Sequence, residues 1–202
     1  MRLSRLLRSE DARRTLDLTL RLTQRSVSSE FKGTALGRLW SFINPLATVA
    51  VFSLIFGVVF RGGVAPGRNS GIDSFALWIG IGVLSWNFMS SGIMASMNAL
   101  VDNSGLLTKV YFPRQVLIYS AVLSLAVDFA FELLVLTVIA MIMGGPGVLL
   151  MLPALLVVTL LAGMFAIGLG LILSIATVYF RDLGHLWQIF NQMWMYASGV
   201  VF

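Results

Sequence analysis

The sequence predicts an all-α fold, a polytopic membrane helix bundle, and three observations carry that prediction. Apolar runs of about 20 residues, the length that crosses a hydrocarbon layer, recur along the chain. Of the 202 residues 58% are hydrophobic and 11% charged, with a mean hydropathy of +0.91; a soluble domain carries roughly twice that charged fraction. The alternating pattern of a membrane barrel does not recur. No internal repeat and no separate soluble domain stand out.

Residues 1–37 form a polar and basic N-terminal segment. Leu16, Leu18, Leu20 and Leu22 alternate with polar residues, a strand period taken literally. An isolated strand beside a membrane has no partner for its backbone groups, so an amphipathic interface helix is expected instead. The segment is too long for a signal peptide, and no short apolar core with a cleavage site follows it. Nucleic-acid binding is a poor fit, because no stacking aromatics interleave the arginines.

Residues 38–202 are expected to be the transmembrane domain, with spans at about 41–60, 75–100, 116–143, 148–178 and 186–202. Asn44-Pro45 near the start of the first span can open or kink a helix. A Gly/Pro/Asn loop follows at 61–71. The second span is rich in small and polar residues, among them Gly80, Gly82, Ser85, Asn87, Ser90, Ser91, Ser96 and Asn98, which hydrocarbon does not satisfy. Residues 103–115, NSGLLTKVYFPRQ, interrupt the apolar sequence with turn residues, Lys109, Arg114 and Pro113. After the third span GGPG makes a tight turn at 144–147. The fourth span is longer than one crossing needs, so it tilts, bends or extends. On it Ala162, Ala166, Gly170 and Ser174 form a small-residue ridge suited to close helix contact. YFRDLGH at 179–185 is the next turn before the fifth span.

Charge gives the orientation. Of the 14 basic residues, 12 fall in the segments assigned to one side and only Arg61 and Arg68 in the loops of the other. The positive-inside rule places the N-terminus and the turns at 103–115 and 179–185 in the cytoplasm, with the protein in the cell's cytoplasmic membrane.

Four groups of residues are candidates for function. Leu106, Leu107, Thr108, Lys109, Val110, Tyr111, Phe112 and Arg114 make one turn too apolar for a simple return loop. They either dock a cytoplasmic partner or lie in the headgroup region. Arg181-Asp182 at the membrane edge forms a local pair or contacts the same partner; a surface pair is worth only about 0–1 kcal/mol. Phe52, Phe56 and Phe60 on the first span, and Trp187, Phe190 and Trp194 on the fifth, make two aromatic stripes. They either pack helices or face each other across a path and stack on sugar rings. Asp128 and Glu132 lie one turn apart on the third span, as a proton or cation relay or as a buried polar pair. With no cysteine and the single histidine His185, a metal site is not expected. No phosphate-binding loop, dinucleotide fingerprint or activated nucleophile appears, so the chain is not expected to be an enzyme. Energy for uphill movement must come from another chain.

These residues resemble a known group. GRLWSFINPL at 37–46, the Leu-Leu-x-Lys-Val-x-Phe-Pro-Arg core of 103–115, LSLAVDF at 123–129 and FRDLGH at 180–185 are similar, in order, to four motifs of type-2 ABC transporter permeases of the polysaccharide-export group. The resemblance implies a six-span subunit, a second copy of itself, and two copies of a separate ATPase that holds ATP and Mg. It implies that residues 104–113 contain a coupling helix seated in the ATPase. The first and fifth spans would line the path for a lipid-linked glycan such as O-antigen, teichoic acid or galactan. The family's re-entrant segment and sixth span would follow the last residues given. The alternatives are a permease for a drug or small lipid, and an ion-coupled carrier or membrane enzyme using Asp128 and Glu132.

Overall fold

The computed structural model describes residues 2–30, 34–55, 75–109, 111–144 and 146–198. Among them every regular element is helical. The helices are α1 (Arg2–Glu30), α2 (Trp40–Leu54), α3 (Phe75–Asp102), α4 (Ser104–Leu107), α5 (Gln115–Gly144), α6 (Leu152–Tyr179) and α7 (Leu183–Ala197). Short 3-10 turns precede α2 (Gly37–Leu39) and α6 (Pro146–Met151). α3, α5 and α6 are each long and apolar enough to cross a membrane. α2 and α7 have 15 described residues each, about 22 Å of helix. Phe56, Phe60, Val110 and the loop at 61–71 lie outside the described residues.

α1 is helical because residues 2–30 contain neither glycine nor proline, and the good helix formers Leu, Arg and Gln outnumber the β-branched residues. It lies along α5. Its buried side chains correct the expected amphipathic pattern. Thr19, Thr23 and Val27, four residues apart, face the bundle, while Leu16, Leu18 and Leu20 are exposed. Residues two apart point about 200° apart on a helix, so alternating leucines fall on opposite sides and cannot make one face. The threonines suit close approach to α5 because their hydroxyls are satisfied within the helix. Thr19 Oγ1 donates to the Thr15 carbonyl at 2.8 Å, and Thr23 Oγ1 to the Thr19 carbonyl at 2.9 Å.

The turn from α1 to α2 passes through Gly37, whose φ of +52° is a left-handed conformation that a side chain would strain. Pro45 sits buried inside α2, with Ser41 buried one turn before it. α2 then packs on α3 and α5.

α3 is the centre of the bundle, in contact with α2, α4, α5, α6 and α7. Its closest neighbour is α6, and small residues meet there from both sides. A Cβ built on Gly92 would lie 3.1 Å from the Cβ of Ala166, and one built on Gly170 would overlap Ser96. Ala166, Gly170 and Ser174, three members of the ridge, are buried, while most of the rest of α6 is exposed. Close backbone approach of this kind gives membrane helices the dispersion contacts that replace a hydrophobic driving force. Phe88 and Phe129 stack at 4.7 Å between α3 and α5 within an apolar cluster that includes Leu77, Leu84 and Leu136.

Candidate functional site

The turn between α3 and α5 is built by a few local bonds. The Asn103 side chain donates to the Ala99 carbonyl at 2.9 Å and so closes α3. Its backbone carbonyl then accepts from Leu106 and Leu107 at 3.0 and 3.1 Å, opening α4. α4 is a single turn, Ser104–Leu107, where a helix reaching to 113 was expected. Pro113 keeps the helix from running on to 113, because its ring pushes Phe112 out of the helical region, and residues 111–113 are not helical. α5 restarts when Val116 and Leu117 donate to the Pro113 and Arg114 carbonyls.

This geometry sorts the turn into two sets. Leu106, Leu107 and Phe112 are half-buried, packed on Ala99, Leu117 and Ile118 of the bundle. Thr108, Lys109, Tyr111 and Arg114 point outward, and Tyr111 is as exposed as in an extended peptide, at 104%. The first set fastens the turn to α3 and α5; the second lies at the surface, with Thr108 Oγ1 donating to the Gly105 carbonyl. Sequence pattern alone groups both sets together.

The turn between α6 and α7 comes to the same place. Arg181 and Val178 line one groove of about 420 Å³ together with Leu107, Thr108 and Arg114. Tyr179, Phe180, Arg181, Asp182 and His185 are all exposed. Among the described residues Arg181 and Asp182 make no ion pair. The Asp182 carbonyl instead accepts from His185 and Leu186 and starts α7. Two turns about 70 residues apart in sequence therefore share one groove, with Leu100, Val101 and Leu107 on its floor and Arg114 and Arg181 beside it.

Of the two aromatic stripes, the described residues include that of the fifth span and Phe52 of the first. Trp187, Phe190 and Trp194 do cluster, with centroids 5.4 to 6.4 Å apart. Trp86 of α3 meets Trp194 edge-on at 5.5 Å, and Phe165 of α6 meets it at 6.1 Å. Phe52 is half-buried on α2, which packs on α3 and α5, whereas α7 packs on α3 and α6. Phe56 and Phe60, the rest of the first-span stripe, lie outside the described residues. Trp86 and Phe165 were not singled out from sequence; each is a lone ring in a long apolar helix, and only the crossing of α3, α6 and α7 brings them in.

Polar groups accompany this cluster. Asn191 Nδ2 donates to Ser90 Oγ of α3 at 2.6 Å. Asn191 Oδ1 and Trp187 Nε1 are buried with no hydrogen-bond partner among the described residues. On α5, Ser124 Oγ and Asp128 Oδ2, one turn apart, are likewise buried and unpartnered. Glu132 is half-buried one turn further along. Among the described residues neither carboxylate pairs with a lysine or arginine. The geometry gives Asp128 spare hydrogen-bonding capacity inside the bundle and does not extend Asp128 and Glu132 into a longer chain of ionisable groups.

Long apolar helices closed by small-residue contacts, with an exposed face built from two polar turns at one end, define a multi-pass membrane subunit. The chain belongs to the ABC-2 type transporter family, whose model matches residues 17–202. It is 32% identical over 187 residues to the O-antigen export system permease protein RfbA of Myxococcus xanthus, covering 92% of this chain and 68% of that one. It is 23% identical over 186 residues to proteins of the same description from Klebsiella pneumoniae, covering 92% of this chain and 69% of theirs.

Proposed function

We propose that this chain is the permease subunit of an ATP-driven exporter of lipid-linked polysaccharide. In this reading it works as a homodimer with two copies of an ABC ATPase, which hold ATP and Mg. The observation that carries the reading is the shared groove: the turns at 103–115 and 179–185 converge on it and bring Thr108, Arg114 and Arg181 together at the surface. ATPase docking there gives Thr108, Tyr111, Arg114 and Arg181 a partner. Leu106, Leu107 and Phe112 would pass movement of that partner to α3 and α5, on which they are packed.

The relatives supply the substrate class, and the aromatic cluster on α7 suits it, since flat rings with a nearby amide, hydroxyl and indole N–H can hold sugar faces and their hydroxyls. Asn87 and Ser91 stay exposed in the middle of α3, where hydrocarbon would leave their polar groups unsatisfied; a second copy or a watery path beside α3 would satisfy them. N-terminus and docking face would lie in the cytoplasm, as the basic residues require.

Co-purification tests the docking. With the ATPase co-expressed, Tyr111→Ala combined with Arg181→Glu should release it while the permease stays folded in the membrane. Full retention of the ATPase by that double variant would remove the reading.

A further inference from the structure

We propose that the groove between α1, the end of α3, the α4 turn and the start of α5 binds one anionic phospholipid, its headgroup at the rim and its acyl chain on the floor. The groove measures about 540 Å³ and is separate from the docking groove. Arg25 of α1 and Lys109 of the turn line it, with Asp102 at the end of α3. Among the described residues none of these three forms an ion pair, so they leave a net positive charge unspent. The inner lining is mostly apolar, with Leu22, Ala99, Leu117 and Ala121 beside Ser120, whose hydroxyl donates to the Leu117 carbonyl.

The two ends are separated along the membrane normal. Ala95, also in the lining, lies seven residues before Asp102 on α3, which at 1.5 Å per residue is about 10 Å deeper. The groove thus runs from charged to apolar over about the thickness of a bilayer's interfacial layer. A soluble anion would satisfy the cations and leave the floor wet. A zwitterionic lipid would cover the floor and leave the net charge unmatched. An anionic phospholipid does both, and basic residues at a membrane surface attract such lipids.

The consequence lies in which elements the headgroup would join. Arg25 belongs to α1, and Lys109 lies two residues beyond α4, the single helical turn of the docking face. A phosphate held between them would fasten that turn to α1, so that membrane composition sets how firmly the docking face is held. This role rests on the docking reading and the orientation above; the binding itself can be measured on the permease alone, so failure of one is distinguishable from failure of the other.

The test is native mass spectrometry of the full chain in detergent, titrated with phosphatidylglycerol or with phosphatidylcholine of the same acyl chains. One phosphatidylglycerol per chain should be retained in preference to phosphatidylcholine. Arg25→Gln and Lys109→Gln should each weaken it about five-fold, the effect of one cation near a membrane surface. Asp102→Asn should tighten it, a gain that misfolding cannot produce. Arg13→Gln, exposed on α1 outside the groove, should leave it unchanged. Unaltered retention in the Arg25 and Lys109 variants, an equal loss in the Arg13 variant, or equally good competition by free glycerol phosphate would overturn the proposal.

Discussion

Replacing Gly170 by alanine should destabilise the protein, although alanine is the better helix former. A Cβ at that position overlaps the Ser96 Cβ, lies 2.7 Å from its Oγ and comes within 3.6 Å of its Cα. Rotating the serine moves only Oγ; its Cβ is fixed by the backbone of α3. Carbon atoms prefer about 3.5–4.0 Å, so α3 and α6 must part by roughly 1 Å, and a gap of that size forfeits a quarter to a half of each dispersion contact along the seam. Overpacking of this type costs about 1–3 kcal/mol, against a gain of about 0.8–1.0 kcal/mol in helix propensity, so a net loss of up to about 2 kcal/mol is expected. Gly168→Ala is the control, because a Cβ there meets nothing within 4 Å. The assay is reversible denaturation of the purified protein in mixed micelles, run as a double-mutant cycle with Ser96→Gly. Removing the serine side chain opens the space, so the two substitutions should couple by more than about 0.5 kcal/mol. Stabilisation by Gly170→Ala, as propensity alone requires, or plain additivity with Ser96→Gly, would refute the seam.

Three further outcomes follow from the same structure. Leu107→Asp should lower stability by about 1–3 kcal/mol, because it introduces a carboxylate into the half-buried contact with Ile118 and Leu117, whereas Tyr111→Ala should leave the denaturation midpoint within error; equal midpoints for the two would contradict the sorting of the turn. Asn191→Leu should cost about 0.6–1.7 kcal/mol, the range of hydrogen bonds between membrane helices, and Ser90→Ala should add little to it, read in the same denaturation assay. Trp194→Leu should reduce glycan export in cells and ATPase activity stimulated by glycan lipid, while leaving the assembled complex intact on a sizing column; unchanged export would detach the aromatic cluster from the substrate.

The sequence carried the helices and their membrane character because both depend on composition and run length. It also carried the ridge on α6, since a spacing of four keeps Ala166, Gly170 and Ser174 on one side whatever lies opposite. It did not carry which side of α1 faces the bundle. The leucines mark the most apolar residues there, but the close approach to α5 is made by threonines whose hydroxyls bond their own backbone. The candidate docking residues were legible as a group from their unusual apolarity; their division into an inward and an outward set was not, because it depends on α4 being a single turn packed on α3 and α5. Trp86 and Phe165 were invisible for a related reason: membership of the aromatic cluster is decided by how three helices cross, which no single stretch encodes.

The central claim is that two separate turns make one face for the ATPase. Photo-crosslinking from single positions in membrane vesicles that contain the assembled complex tests it directly. A photoreactive residue at Tyr111, and separately at Phe180, should each yield an adduct with the ATPase, while one at Trp78, exposed near the opposite end of α3, should yield none. Adducts from only one of the two turns, or from Trp78 in place of either, would contradict the account.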